Sequence, residues 1–204
     1  MGVLIFAFGF WIALETSFGG YIITDGGPAL RKATTALSVL CSITLLSGGL
    51  VAGLKAGHAY PTFPLIAGKL VPDGLLAATP TWRNFVDNAL TVQFQHRVLA
   101  TIVLIVVLGV WWAARRTDLP RHARVAFDLM LAAATLQVGL GIVTLLLHVP
   151  VAIAALHQGN AALLLASTLH AGYALRRWPR DVQLPRGVAA APHASQPLLS
   201  HSEI

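Results

Sequence analysis

The sequence predicts an all-α integral membrane protein, specifically an antiparallel four-helix transmembrane bundle preceded by one partial span. Hydrophobic residues make up 56% of the 204 residues and charged residues 11%, with a mean hydropathy of +0.71, whereas soluble domains are roughly one quarter charged. Four long stretches carry almost no charge, and a helix needs about 17–25 such residues to cross the bilayer core. These stretches are Ala33–Leu54, Val98–Ala114, Val125–Leu147 and Val151–Leu175.

The start of the chain predicts the partial span. Met1–Leu14 is uncharged but is followed at once by Glu15, so we interpret residues 1–32 as an incomplete span with a glycine-rich link behind it. The stretch lacks the basic beginning and small-residue cleavage site of a signal peptide. Because an uncharged start on the outer side without a signal is unusual for a whole gene product, we expect helices to precede this segment in the full protein.

The rest of the chain divides into a membrane domain, 33–177, with a long outer loop at 55–91, and a tail at 178–204. The loop mixes turn formers with aromatic residues, so we expect turns and short amphipathic helices on the membrane surface. The tail is rich in Pro, Ala and Ser, which predicts disorder. Cys41 is the single cysteine and lies in an apolar stretch, so no disulfide forms within the chain.

The charge distribution predicts the topology and excludes a nucleic-acid interface. The formal net charge is +6, but the cations lie at helix ends and do not form a patch with interleaved aromatic residues. All three basic groups fall on one side of an alternating path, which the positive-inside rule makes cytoplasmic or matrix-facing. They are Arg31 and Lys32; Arg115, Arg116, Arg121 and Arg124; and Arg176, Arg177, Arg180 and Arg186.

Two histidines lie inside apolar stretches at matching depth. His96 and His157 are each six or seven residues inside the outer end of a predicted helix, roughly 10 Å deep at 1.5 Å per residue. An ionisable group within a span is costly and indicates function. Two neutral imidazoles reaching one level from two helices can supply both axial ligands of a heme iron. The alternative interpretation is two hydrogen-bonded core histidines.

The other six histidines are predicted to have different roles. His148 lies at a helix end beside Pro150, where its imidazole reaches the interface. His170 is thirteen residues past His157, about 140° around the helix and near the opposite leaflet, so it cannot bind the same iron and we expect a structural role. The remaining four lie in predicted loops or the tail: His58, His122, His193 and His201.

Polar side chains accompany the two membrane histidines. Gln93 and Arg97 are four residues apart and so share a helical face beside His96. For Arg97 two interpretations stay open, a bidentate contact with a heme propionate or snorkelling to lipid headgroups. Gln137 and Gln158 are placed to hydrogen-bond between helices or to the far nitrogen of a ligating imidazole.

Several motifs, in order over residues 47–159, resemble the C-terminal half of heme A synthases. Together they form a specific signal, much stronger than one histidine. They are Gly48-Gly49-Leu50-Val51-Ala52-Gly53-Leu54-Lys55-Ala56-Gly57 with Ala59-Tyr60-Pro61-Thr62-Phe63-Pro64, Trp82-Arg83-Asn84-Phe85, Val92-Gln93-Phe94-Gln95-His96-Arg97, Gln137-Val138-Gly139-Leu140-Gly141-Ile142, and Leu156-His157-Gln158.

The resemblance implies an eight-helix protein of two similar four-helix halves that oxidises the heme O methyl group to the formyl group of heme A for cytochrome oxidase. His96 and His157 match the histidines that hold a heme b in the C-terminal half of that family, and Gln93 stands at the place of a glutamate in the N-terminal half. The catalytic half, with its glutamate and His-Arg motif, is not found in this sequence, so no catalytic residue is predicted here.

The resemblance also implies location and partners: the bacterial plasma membrane or mitochondrial inner membrane, surrounding lipid, heme O as substrate, and an N-terminal half. Heme O synthase, other oxidase assembly proteins and further copies of the chain are additional candidates. Two alternative functions stay open. One is a non-catalytic membrane heme module for electron transfer or heme holding. The other is a small transporter subunit whose histidines relay protons.

Overall fold

The computed structural model describes residues 2–18 and 27–175, and within them the chain is helical with no β-strand. Four helices are long and apolar enough to cross a membrane, and a shorter apolar helix precedes them, which confirms the predicted fold class. The elements are α1 (Gly2–Phe18), α2 (Gly27–Gly53), α3 (Ala56–Ala59), α4 (Asn84–Asp87), α5 (Ala89–Arg115), α6 (Arg121–Leu146) and α7 (Val151–Tyr173).

Three of the four long helices begin earlier than hydropathy predicts, whereas α7 begins at the predicted Val151. Helix α2 starts at Gly27 with Pro28 in its first turn, a position that proline favours because the first helical N–H has no partner. Helix α5 starts at Ala89, where the Asn88 side chain accepts hydrogen bonds from the N–H groups of Leu90 and Thr91. His122, expected in a loop, lies in the first turn of α6. The charged helix ends lie outside the apolar stretches. Hydropathy therefore identifies the part of a helix that crosses the membrane, but not the residues by which the helix extends beyond it.

The four long helices pack in a ring. Helix α2 contacts α5 and α7, α6 also contacts α5 and α7, and α1 lies outside the ring against α7 and α2. Short connections join α5 to α6 and α6 to α7, which forces those neighbours to run antiparallel. Helices α5 and α7, which carry the two membrane histidines, therefore face each other across the diagonal of the bundle.

The apolar core occupies one end of this bundle. Its buried members reach no closer to the histidine end than Cys41, Val103, Ala134 and Leu164. Each is at least twelve residues from that end of its helix, about 18 Å at 1.5 Å per residue. We call the end packed by this cluster the inner half and the end with His96 and His157 the outer half.

The connection between α2 and α5 folds over the outer half. It is organised by Asn84, which is fully buried and bonds the backbone of Ala78 and Thr81 as well as the side chain of Asn88. Large apolar side chains remain exposed on this loop, as expected for a segment at the membrane surface; they include Leu70, Val71, Trp82 and Phe85. The predicted tail at 178–204 and most of the predicted link before α2 lie outside the described residues.

Candidate heme site

His96 and His157 lie in the outer half on diagonally opposed helices. His96 is seven residues into α5 and His157 six residues into α7, so the two imidazoles lie about 9–10 Å below the helix ends. Both are half-buried. The structure thus places at one level, on opposed helices, the two residues that the sequence predicts as a pair.

Each imidazole rests against a glycine of the neighbouring helix. A Cβ built on Gly48 of α2 would lie 3.1 Å from Cε1 of His96, and one built on Gly141 of α6 would lie 2.9 Å from Cε1 of His157. A Cβ at Gly141 would therefore force the His157 ring to move, and one at Gly48 would require the His96 ring to shift by a few tenths of an ångström. The part of α5 that Gly48 of α2 contacts is thus the imidazole of His96.

Ser47 fixes the hydrogen-bonding role of His96. Its hydroxyl donates to the carbonyl oxygen of Thr44 at 2.7 Å and lies 2.7 Å from Nδ1 of His96. A hydroxyl has one proton, so with that proton on the Thr44 carbonyl, Nδ1 of His96 is the donor in the second contact. The neutral ring then carries its lone pair on Nε2, the nitrogen available to bind iron.

A chain of two amides reaches His157. The Asn160 amide nitrogen donates to the carbonyl oxygen of Ala133 at 3.0 Å and to Oε1 of Gln137 at 2.8 Å. That second bond turns the Gln137 amide nitrogen toward His157, 3.2 Å from Nδ1 and 3.4 Å from Nε2. His157 therefore faces a side-chain donor, whereas His96 faces a side-chain acceptor.

Gln93 and Arg97 fasten the outer loop to α5 beside His96. Gln93 donates to the carbonyl oxygen of Tyr60 at 3.0 Å, and Arg97 donates to that of Thr62 at 2.6 Å. Arg97 also bonds the carbonyl oxygens of Tyr60, Pro64 and Leu65. Among the described residues no carboxylate pairs with Arg97, so its charge is balanced by carbonyl dipoles and by the face of the Phe63 ring, whose centroid lies 6.0 Å from Cζ. Oε1 of Gln93 is buried and accepts no hydrogen bond from the described part of the chain.

The remaining predicted polar residues lie outside this arrangement. Gln158 and His148 are exposed, and His170 lies in the last turn of α7, at the inner end. Sequence reasoning missed Ser47 and Asn160. Asn160 could have been identified from the sequence, because a buried amide three residues from a membrane histidine is costly unless it is hydrogen-bonded.

The donor set fits a metal that arrives with ligands of its own. In residues 2–18 and 27–175, no group of three or more His, Cys, Asp or Glu side chains is close enough to hold a metal ion. Two imidazoles alone leave a bare cation poorly coordinated, since protein metal sites usually use four or more ligands. A heme brings four nitrogens and needs two axial ligands.

Comparison with known proteins decides the family. The profile of COX15-CtaA, described as cytochrome oxidase assembly protein, matches residues 1–169. The chain belongs to this family. Among its COX15-CtaA relatives, the heme A synthase of Nitrosospira multiformis is 43% identical over 85% of the chain and 49% of its own length.

Eukaryotic relatives match the same region. The heme A synthase COX15 of Arabidopsis thaliana is 37% identical over 82% of the chain and 38% of its own length. That of Homo sapiens is 39% identical over 74% of the chain and 37% of its own length. The chain thus spans about half the length, or less, of the curated relatives it matches. No solved structure matches the chain. The family resemblance predicted from the ordered motifs is confirmed.

Proposed function

We propose that this chain holds a heme b between His96 and His157 and thereby takes part in heme A biosynthesis. The observation that carries the proposal is the placement of two imidazoles at one level on diagonally opposed helices, each set against a glycine. The relatives named heme A synthase supply the biosynthetic role. In that role the whole protein oxidises the methyl group of heme O to the formyl group of heme A.

The packing of the bundle supports a cofactor in the outer half. The inner half is packed by a continuous apolar cluster. In the outer half, the residues that face one another across neighbouring helices are imidazoles, amides and glycines. An ionisable side chain is expensive inside a membrane unless it binds something. When bound, a bis-histidine heme b accepts and donates single electrons, which fits a site that serves an oxidation performed elsewhere in the protein.

Arg97 supports the orientation of the heme. Its charge is not balanced by any described carboxylate; the buried Oε1 of Gln93 is itself an acceptor and needs a donor, which an ionised propionate cannot supply. A heme propionate is the group that matches such a cation, because guanidinium binds carboxylates through charge-assisted hydrogen bonds. We therefore propose that the propionates lie toward the outer loop, with Arg97 as their partner.

The test is the absorption spectrum of the purified full chain. A six-coordinate low-spin heme b is expected in the wild type, and His96→Ala and His157→Ala are each expected to remove the low-spin form. His148→Ala is the control, since His148 is exposed on the α6–α7 turn. Low-spin heme retained in full by either ligand variant contradicts the proposal.

The biosynthetic role has its own test. Membranes that produce heme O are expected to accumulate heme A when the full protein is present, and extraction with chromatographic separation of the two hemes measures the conversion. Replacing His96 is expected to lower heme A without lowering heme O. Unchanged conversion means that the cofactor site does not serve the oxidation.

A further inference from the structure

We propose that Gln137, oriented by Asn160, is a positioning residue that makes His157 the weaker electron donor of the two axial ligands, and that Ser47 makes His96 the stronger one. The proposal rests on the proposed function, because it presumes iron between the two imidazoles. It concerns Ser47, Gln137 and Asn160, none of which is proposed as a ligand of the iron.

The two halves of the site are alike in their backbone. Each imidazole packs against a glycine of the neighbouring helix, His96 against Gly48 and His157 against Gly141. Because these contacts are the same on both sides, they give neither histidine an advantage. The two histidines differ in the side chains that contact their rings.

The side chains have opposite polarity. Ser47 accepts from Nδ1 of His96 at 2.7 Å, and an acceptor on the far ring nitrogen raises the basicity of a ligating imidazole. Gln137 faces His157 with an amide nitrogen, 3.2 Å from Nδ1 and 3.4 Å from Nε2, and an amide nitrogen cannot accept a proton from either ring nitrogen. His157 thus receives no added electron density from this side chain.

Asn160 determines that polarity. It is buried, 7% exposed, and its own amide nitrogen is bound to the Ala133 carbonyl, which can only accept. The same nitrogen holds Oε1 of Gln137 at 2.8 Å. A reversed Gln137 amide would set the N–H donors of Gln137 and Asn160 against each other, so Asn160 favours the orientation in which the Gln137 amide nitrogen faces His157.

The heme midpoint potential distinguishes this role from a merely structural one. Greater basicity of an axial ligand stabilises ferric iron and lowers the potential. We expect Gln137→Glu, which supplies an acceptor for Nδ1 of His157, to lower the potential. Asn160→Leu is expected to lower it by less, because the Gln137 amide is then free to reverse. Ser47→Ala is expected to raise it.

The experiment is a redox titration of the full-chain holoprotein, with low-spin heme content measured in parallel. Thr135→Val is the control on α6, since its exposed hydroxyl bonds only its own helix at the Leu131 carbonyl. Potentials of Gln137→Glu and Ser47→Ala that stay at the wild-type value, or move in the same direction, overturn the inference. If Asn160→Leu loses its heme, the opposite shifts of the other two variants still decide it. A wild type without low-spin heme instead refutes the proposed function.

Discussion

At the scale of single residues, two glycines determine how closely the helix backbones approach the imidazoles. A Cβ at Gly141 would lie 2.9 Å from His157, closer than real Cβ atoms lie, so the ring has to turn away. Overpacking of this kind costs about 1–3 kcal/mol, and each 1.4 kcal/mol is a factor of ten in affinity. We expect Gly141→Ala to weaken heme binding roughly tenfold, measured by titrating the heme-free protein with heme and following the absorbance.

The neighbouring glycines provide matched controls for that experiment. A Cβ at Gly139 or Gly49 meets nothing within 4 Å, so Gly139→Ala and Gly49→Ala are expected to keep wild-type heme affinity. Gly48→Ala, with 3.1 Å to His96, is expected to fall between. Equal heme affinity in Gly141→Ala and Gly139→Ala would show that the close approach is not needed for binding.

Arg97 gives a second prediction at this scale. Its guanidinium bonds four loop carbonyls between Tyr60 and Leu65, a number that the single ammonium of lysine cannot match. We expect Arg97→Lys to make the loop several times more sensitive to limited proteolysis, with cleavage sites read by mass spectrometry. Lys69→Ala is the control, because Lys69 forms only an exposed pair with Asp73 that is worth about 1 kcal/mol or less. If both variants are cleaved at the same rate, Arg97 does not hold the loop.

The sequence is informative about residues that are unusual in a membrane. His96, His157, Gln93 and Arg97 are recognisable because ionisable and amide side chains are costly there. Ser47 gives no such signal: other hydroxyls of α2 bond their own backbone, such as Ser42 to Ser38 and Thr44 to Leu40, and a serine that reaches across to a histidine looks the same in sequence.

At the scale of the helices, the inner half of the bundle supplies packing and the outer half carries the proposed heme site. Met130 of α6 is fully buried in the inner cluster. In lipid the transfer of apolar surface is nearly neutral, so van der Waals packing supplies most of the stability. We expect Met130→Ala to lower stability by about 2 kcal/mol, the low end for such a truncation, with an unchanged heme spectrum below the unfolding temperature. Thermal unfolding followed by heme absorbance measures both.

Leu163 of α7 provides the comparison for Met130. It is 59% exposed, so Leu163→Ala removes side-chain atoms that face the surroundings and is expected to change the unfolding temperature little. A heme spectrum altered by Met130→Ala at low temperature would contradict the division, because it would mean that the inner cluster also shapes the site.

Helix existence follows from the sequence more reliably than helix ends or contacts. Four apolar stretches predicted four spans, since only a helix satisfies its own backbone in lipid. The starts of α2 and α6 were missed because charged residues near their N-terminal ends, Arg31 and Lys32 in α2 and Arg121 and Arg124 in α6, come before the apolar stretch. Neither periodicity nor hydropathy specifies that α5 and α7 are diagonal; that follows from which faces pack in three dimensions.

At the scale of the whole molecule, the charge pattern predicts which end of the bundle faces the cytoplasm or matrix, and the single cysteine makes this testable. Cys41 is buried, and Cys41→Ala gives a cysteine-free chain. In that background Asp73→Cys places a thiol on the outer loop and Asp118→Cys places one on the α5–α6 turn. Both aspartate side chains are highly exposed, at 83% and 106%.

Because cations flank the α5–α6 turn, the positive-inside rule places that turn on the cytoplasmic or matrix side. A membrane-impermeant maleimide added to intact cells is expected to label Asp73→Cys and not Asp118→Cys, while both react after permeabilisation. The reverse pattern would put both histidines near the inner leaflet and require the redox partner to reach the heme from that side.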